Sequence, residues 1–347
     1  LFTLGSILNC HAQLIIPAGT TFAAVANTDI TIKATGNIIN QTTFDFSAVN
    51  LNLEFIGATQ ILTGNWTVNN LRISNQGPKS INNTLTVRNR IDWIDGFIKA
   101  GINGKIIHTG PADGITGGNA RSYCEGTFYS NGSGARLFPI GINNTYTPIM
   151  FESADGEVAV SMSASPQLTT GTEVIDVFNN WYWLVTNADK VNARAQISLN
   201  GTDAFAAGEG ALAVLQANTT GTRPENLSSA AINDRLITSR GNITLPVVAL
   251  GKEAKVNVVI NDLITPFGSA GVNDKLYIQN LHKYDFNTVT LIDRWGVVFR
   301  KWDNYSNDTS FDFTQLNAGN YICIVEYWKT GEAKRTTQQM VTVIKAN

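Results

Sequence analysis

Short segments in which apolar and polar residues alternate recur through the first third of the chain at an interval of about 20 residues. Ile32, Leu53 and Ile73 lie 21 and 20 residues apart, and Leu71 and Ile91 again lie 20 apart. A period of two indicates strands with one buried face. A repeat of this length is typical of one coil of a β-solenoid, because each coil buries its apolar residues against the next. A β-sandwich with evenly spaced hairpins is the alternative.

The composition agrees with an all-β chain and excludes several other classes. Charged residues make up only 15% of the 347 residues, which argues against intrinsic disorder and against a coiled coil. The net charge of −2 gives no electrostatic reason to expect nucleic acid as a partner. No apolar run approaches about 18 residues, so we predict no transmembrane segment of its own. The chain is expected to be strand-rich with a polar surface.

The domain organisation follows from changes in the strand pattern. Residues 1–12 combine an apolar stretch with small residues, which is typical of a signal peptide remnant, although a first β-strand is the alternative. Residues 13–166 are predicted to form the β-solenoid-like region with closing strands. Residues 167–262 have strand spacings that suit an immunoglobulin-like β-sandwich. Residues 263–347 are predicted to form a second sandwich of the same class.

The cysteines and histidines give no indication of a metal site. Cys124 and Cys323 are 199 positions apart, and no cluster of candidate ligands surrounds either of them. We predict that both are buried and unpaired, and that the protein has no metal and no cofactor.

The C-terminal segment contains the most specific pattern in the chain. Its motifs follow one another in the order Asn273-Asp274, Arg294-Trp295-Gly296, Asn304-Tyr305 and Gly319-Asn-Tyr321. In this order, at this end of the chain, they resemble the gliding-motility-associated C-terminal domain. That family is the type B sorting domain of the Bacteroidetes type IX secretion system. Ser122-Tyr-Cys-Glu-Gly126 and Leu137-Phe-Pro-Ile-Gly141 likewise resemble a segment common in secreted surface proteins of that phylum.

The resemblance implies a location and a set of partners. It implies export by the type IX secretion machinery and an extracellular position on the cell surface, attached to the outer membrane. It also implies attachment through the C-terminal domain to an outer-membrane β-barrel of the PorP/SprF type. At 347 residues the chain is short for an adhesin filament. We therefore expect a subunit or accessory of a gliding-motility adhesin complex, with a large surface adhesin as a further partner.

The resemblance also assigns the residues expected to serve in sorting and anchoring. They are Asn273, Asp274, Arg294, Trp295, Gly296, Asn304, Tyr305, Gly319 and Tyr321. They either hold the loops of the domain together or form the surface that the export machinery recognises, and both interpretations stand. The chain departs from the family pattern at Phe267 and Ser269, where Asn and Asp are usual, and at Asp293, where Asn is usual. We expect the last change to be tolerated.

No sequence motif points to catalysis, because the nucleophile elbow, the zinc-protease helix and the phosphate-binding loop are all missing. We predict a non-enzymatic protein. One alternative is a small polysaccharide-binding adhesin with Trp66 and Trp93 as ligand-facing aromatics. Another is a β-helix polysaccharide-degrading enzyme using Asp92 and Asp95, although positions three apart on a strand face opposite sides. The triplet Trp181-Tyr-Trp183 is predicted to anchor a core rather than to bind sugar.

Overall fold

The chain folds into two compact units, residues 1–254 and residues 255–347, and each has its own hydrophobic core. The computed structural model describes residues 7–10, 13–18, 20, 29–42, 46, 49–101, 103–171, 173–208, 210–233, 235–253, 257–266, 273–308, 311–329 and 334–345. The departures at Phe267 and Ser269, and most of residues 1–12, lie outside these ranges. The all-β class is confirmed, and the assignment of residues 1–12 to a signal peptide stays a prediction.

The larger unit begins with a β-solenoid of about 5 turns. Its strands are β1 (Ile7–Cys10), β2 (Leu14–Ile16), β3 (Asp29–Ala34), β4 (Ile38–Asn40), β5 (Asn50–Phe55), β6 (Gln60–Thr63), β7 (Trp66–Ile81), β8 (Thr84–Ala100), β9 (Lys105–His108), β10 (Ile115–Gly117) and β11 (Cys124–Glu125). Face 1 stacks β1, β3, β5, the middle parts of β7 and β8, and β10 in parallel. Face 2 stacks β2, β4, β6, the last parts of β7 and β8, and β11. Face 3 starts with the first parts of β7 and β8 and continues into β9.

An aliphatic ladder runs through the solenoid behind face 1. In register, it consists of Ile32, Leu53, Leu71, Ile91 and Ile115. All five side chains are buried, whereas their sequence neighbours point outward, as alternation along a strand requires. The solenoid prediction and the pairs Ile32–Leu53 and Leu71–Ile91 are confirmed. Leu53 lies opposite Leu71 rather than opposite Ile73, so that coil is two residues shorter than the predicted spacing, and the same face is kept.

Two buried polar side chains fill the corner where face 1 turns into face 2. The Gln60 amide donates from Nε2 to the carbonyls of Ala34 and Gly36, both at 2.8 Å. Lys79, one coil further on, donates from Nζ to the carbonyls of Ala58, Asn75, Gln76 and Gly77 at 2.9–3.3 Å. These side chains take the place of the backbone hydrogen bonds that the chain loses when it turns.

A pair of antiparallel strands closes the end of the solenoid, as the sequence predicted. The strands of this region are β12 (Phe128–Phe138), β13 (Gly141–Ile142), β14 (Thr145–Tyr146) and β15 (Ile149–Ser163). The first residues of β12 pair in parallel with β9 on face 3, and the whole of β12 pairs antiparallel with β15. The parallel ladder therefore changes into an antiparallel sheet at β12.

The rest of the larger unit continues from β15, which pairs with two further strands. Its elements are β16 (Val174–Val177), β17 (Tyr182–Thr186), β18 (Ala195–Ser198), α1 (Asp203–Ala206), β19 (Ala211–Ala217), β20 (Glu225–Asn226), β21 (Ser229–Asn233), β22 (Leu236–Ser239) and β23 (Val247–Glu253). Single 3-10 turns occur at Ala112–Gly114 and Ala188–Lys190. The immunoglobulin-like character of this segment stays a prediction.

The buried aromatic and sulfur-containing side chains confirm two predictions. Trp181, Tyr182 and Trp183 are all buried, and the Trp183 indole donates to the carbonyl of Thr147 at 3.0 Å. Cys124 and Cys323 are buried and unpaired, and burial raises the pKa of each thiol to about 12. Both thiols are therefore protonated and unreactive at neutral pH.

The smaller unit consists of a five-stranded sheet and a two-stranded sheet around a separate core. Its strands are β24 (Val259–Ile260), β25 (Leu263–Ile264), β26 (Ile278–Gln279), β27 (Phe286–Asp293), β28 (Val298–Asp303), β29 (Gly319–Trp328) and β30 (Arg335–Val343), with 3-10 turns at Leu281–Lys283 and Phe313–Gln315. The order of the larger sheet is β25-β30-β29-β27-β28, so β28 is an edge strand. The unit includes β24, which lies before the predicted boundary at residue 263.

Candidate functional site

The most exposed of the predicted sorting residues lie in the hairpin that connects β27 and β28. We call residues 293–299 the exposed hairpin. The carboxylate of Asp293 accepts the backbone N–H groups of Trp295 and Val297, each at 2.9 Å. Gly296 has a φ of +82°, a conformation that favours glycine. Only an acceptor oxygen is needed at position 293, and an Asn side chain would supply one equally well. This agrees with the expected tolerance of Asp there.

Trp295 presents its ring to solvent at the tip of the exposed hairpin. Its side chain is 77% exposed, and Val297 and Val298 beside it are 61% and 55% exposed. The Arg294 guanidinium lies 5.1 Å from the ring centroid, so it stacks on the indole rather than holding a carboxylate. Adjacent exposed apolar residues of this size mark an interaction surface more often than isolated ones do.

An apolar row extends this surface across the outer face of the sheet. In register, Val298 lies opposite Ile292, Ile292 opposite Ile322, and Ile322 opposite Met340. Ile322 and Met340 are exposed, and Ile292 is half-buried. We call these four residues the apolar row. The apolar row crosses four strands, β28, β27, β29 and β30, and begins at Val298 of the exposed hairpin.

Three exposed cations border the exposed hairpin. Arg294 stacks on Trp295, and the Arg300 guanidinium lies 5.6 Å from the ring of Phe311. Lys301 follows on the edge strand β28 and is exposed. Within the described residues, none of the three forms an ion pair, so their charge is available to a partner.

The Asn304-Tyr305 motif links the surface to the core, because Asn304 is exposed and Tyr305 is buried. Asn304 has a φ of +54°, and its N–H donates to the carbonyl of Asn287 at 2.8 Å. The Asn287 amide also bonds both backbone groups of Tyr305, at 2.8 and 3.1 Å. Tyr305 is buried, and its hydroxyl donates to the carbonyl of Leu276. Burial raises the pKa of this phenol, so Tyr305 acts as a neutral donor.

Asn287 and Asn307 were not identified from the sequence, although they hold this part of the domain together. The Asn307 amide accepts the N–H of Ile278 at 2.8 Å and donates to its carbonyl at 3.0 Å, as a neighbouring strand would. Asn307 follows the Asn304-Tyr305 motif by two positions, so its nearness to that motif was the available signal. Asn287 has no such signal, because it acts from the middle of an ordinary strand.

The remaining predicted sorting residues shape turns. Gly319 has a φ of +149° at the start of β29, and Tyr321 is buried, with its hydroxyl donating to the carbonyl of Asn317 at 3.2 Å. Asn273 has a φ of +56°, and its carbonyl accepts the N–H of Thr265 at 2.7 Å, next to the half-buried Asp274. The structural interpretation therefore fits these residues, and a recognition role for the exposed hairpin stays a prediction.

Trp66 and Trp93 do not face a ligand in the structure. Each side chain is only 1% exposed, so neither ring has a free face on which a sugar could stack. Trp66 stacks on Phe46 with the ring centroids 5.0 Å apart, and Trp93 lies opposite Ile73 inside the solenoid. The prediction of ligand-facing aromatics is corrected accordingly: both are core residues on the inward face of their strands.

Comparison with known proteins assigns the C-terminal segment to a family. Residues 258–343 match the CHU_C family, the type IX secretion signal domain, which implies an origin in Bacteroidetes. The search of curated proteins and the search of solved structures return no match. Among the described residues, no helix is long and apolar enough to cross a membrane. The match covers the strands β24 to β30, including the exposed hairpin, and it implies export to the cell surface by the type IX secretion machinery.

Proposed function

We propose that this chain, which carries a type IX secretion signal domain over residues 258–343, is a non-enzymatic surface protein that stays attached to the outer membrane through that domain. In this proposal the domain binds an outer-membrane β-barrel of the PorP/SprF type. The chain then serves as a subunit or accessory of a gliding-motility adhesin complex. The exposed hairpin is the single observation that carries the anchoring proposal, because a signal that is only cleaved off has no need of a lasting apolar interface.

The chemistry of the exposed hairpin and the apolar row suits a protein partner. Interfaces are enriched in Trp, Met and Arg; the exposed hairpin contains Trp295 and Arg294, and the apolar row contains Met340. Trp and Arg are also the residues in which interaction hot spots are enriched. The three cations at the border favour an acidic rim on the partner.

The environment of the carboxylates supports a non-enzymatic role for the solenoid. Asp92 is held by Arg90 and by the hydroxyl of Thr116, whereas Asp95 lies at the turn before Gly96 and faces Arg121 at 3.7 Å. Each has its own cationic partner, unlike a catalytic pair that shares a substrate. The imidazole of His108 is buried against the carbonyl of Asn89, and burial lowers its pKa.

Deletion and native purification test the proposal. A strain lacking residues 255–347 should retain the protein inside the cell, because the whole secretion domain, including β24, is removed. The full chain, purified gently from outer membranes, should bring a barrel protein with it, identified by mass spectrometry. If the truncated protein still reached the cell surface, the proposal that this domain directs export would be wrong. If the full chain were released into the medium without a barrel protein, export would stand and only the proposed anchoring would be wrong.

A matched pair of double variants tests whether the exposed hairpin is the anchoring surface. Trp295→Ser with Val298→Lys should be exported but should lose most of the co-purifying barrel. The control is Tyr277→Ser with Val259→Lys, which changes a similar aromatic and a similar valine, 53% and 52% exposed, elsewhere on the same unit. Equal barrel recovery from both double variants would show that the hairpin is not the interface.

A further inference from the structure

The outer surface of face 1 carries two parallel columns of polar side chains. The charged column consists, in register, of Lys33, Glu54, Arg72 and Asp92 on β3, β5, β7 and β8. The amide column consists of Asn52, Asn70 and Asn89, in which each amide donates to the preceding one at 2.7 and 2.9 Å. Successive rungs are separated by the spacing of neighbouring strands, about 4.8 Å.

The two columns line a groove of about 530 Å³ that crosses four coils of the solenoid. Its walls contain cations, carboxylates and amides, and its floor includes only the edges of two leucines, Leu53 and Leu71. Among the described residues that line the groove, none is aromatic, so a sugar ring would find no stacking platform there. A ligand bound there would be held mainly by hydrogen bonds and charge.

The cations and the carboxylates lie at different depths in the groove. The side chains of Glu54 and Asp92 are only 15% and 23% exposed, whereas those of Arg72 and Arg90 are 54% and 52% exposed. Lys33, at 38%, is also more exposed than either carboxylate. The carboxylates therefore form a recessed layer that fixes the cationic heads at the surface. The charged groups exposed to solvent are therefore mainly the N–H donors of the cations.

The ion pairs leave most of these donors unused. Glu54 lies 2.9 Å from Lys33 and 3.4 Å from Arg72, and Asp92 contacts Arg90 and Thr116. A guanidinium has five N–H donors, and each pair occupies only one or two of them. Three cations face two carboxylates, so the groove keeps an excess of one positive charge within a unit whose net charge is negative. Cross-strand pairing alone would not require this excess.

We propose that the groove on face 1 binds an anionic polysaccharide, a sugar polymer with carboxylate or sulfate groups, along the axis of the solenoid. The distance between neighbouring strands is close to the length of one sugar unit. Successive sugar units of the polymer therefore lie against the side chains of successive strands. Arg72, Arg90 and Lys33 bind the acidic groups, and the amide column bonds the hydroxyl groups. This activity is separate from the anchoring of the C-terminal domain, and neither depends on the other.

Binding of defined polymers to the purified full chain tests the proposal. Polygalacturonate supplies carboxylates, dextran sulfate supplies sulfates, and unmodified dextran is neutral; titration calorimetry measures each. We expect at least one polyanion to bind at low salt, to weaken as salt screens the charges, and dextran not to bind. Comparison of the two polyanions identifies the acidic group. Failure of both polyanions to bind, or equal binding of dextran, would overturn the proposal.

Variants locate the binding site. Arg72→Gln with Arg90→Gln should weaken polyanion binding by about tenfold or more, since two charge-assisted contacts are lost. The fold should persist, because Glu54 keeps Lys33 and Asp92 keeps Thr116. Lys33→Gln is the milder second variant. The control is Arg194→Gln with Arg235→Gln, two ion-paired arginines of similar exposure outside the groove. A loss no greater than in this control would exclude the groove as the site.

Discussion

Lys79 shows how a charged residue can be accommodated inside the solenoid. Its side chain is fully buried, and its ammonium group contacts four backbone carbonyls at the corner between faces 1 and 2. Burial lowers the pKa of Lys79 to about 8, although Asp95 opposes the shift. Gln60 occupies the same corner one coil earlier, opposite Lys79 in register. The backbone carbonyls at this corner need a hydrogen-bond donor. Lysine supplies one, but burying its positive charge is energetically unfavourable.

The lowered pKa of Lys79 predicts a specific pH dependence of stability. Between pH 8 and 10.5 the unfolded chain binds a proton that the folded chain does not, so the free energy of unfolding rises with pH in this window. We expect a gain of up to about 3 kcal/mol relative to Lys79→Met, because a pKa of about 8 in the folded chain lies well below 10.5 in the unfolded chain. Urea unfolding of both proteins at several pH values measures it. A constant difference between the two would show that Lys79 does not titrate there.

Trp66 and Trp93 show why one prediction about individual residues was wrong. Trp93 lies two positions after Ile91, and Trp66 two positions before Val68, so alternation already assigned both rings to the inward face. Large aromatic rings favour the hypothesis of a ligand platform, but the two-residue period of the strands places both rings on the buried face. Asn287 is the opposite case. Its role depends on a contact with residues 304 and 305, and no local pattern reveals a partner that far along the chain.

The turns between strands depend on glycine where two coils meet closely. Gly96 has a φ of +89°, and a Cβ atom there would lie 2.1 Å from the carbonyl oxygen of Asn75 in the previous coil. Gly156, in the closing strand pair, has nearly the same φ of +90° but no atom within 4 Å of a Cβ. The two positions therefore share backbone strain and differ only in the room available.

This pair separates strain from crowding. Gly156→Ala should lower the free energy of unfolding by about 1 kcal/mol, the cost of a left-handed conformation for a residue with a side chain. Gly96→Ala should cost about 3 kcal/mol, because the coils must also move apart. Chemical unfolding of the two variants and the wild type measures both losses of unfolding free energy. Equal losses would mean that the coil-to-coil contact at Gly96 can relax freely.

At the level of elements, the sequence predicted the solenoid because its signal is local and repeated. Alternation sets the face of each strand, and the interval near 20 residues sets the coil. The 18-residue step from Leu53 to Leu71 could not be read from the sequence. Because the side-chain period is two, a coil shorter by two residues keeps every side chain on its face and leaves the pattern unchanged.

Within the described part of the chain the buried residues form three clusters, two made of residues 1–254 and one made of residues 255–347. We therefore expect calorimetry to resolve two unfolding transitions. Tyr305→Phe should lower only the transition of residues 255–347, by about 1–2 kcal/mol, because the buried carbonyl of Leu276 loses its donor. Lys79→Met should affect only the other transition. If either substitution shifted both transitions, the stabilities of the two units would be coupled, and the expectation of independent unfolding would be wrong.

The alternating signs of the charged column also have a consequence during folding. The aliphatic ladder is almost uniform, so a strand that skipped one coil, β3 pairing with β7 instead of β5, would still bury its apolar residues. That error would place Lys33 against Arg72, and the equivalent skip one coil later, β5 pairing with β8, would place Glu54 against Asp92. Like charges directly opposite each other are destabilising. The hydrophobic pattern cannot tell neighbouring coils apart, but the charges can. We therefore expect the charged column to disfavour out-of-order coils while the solenoid forms.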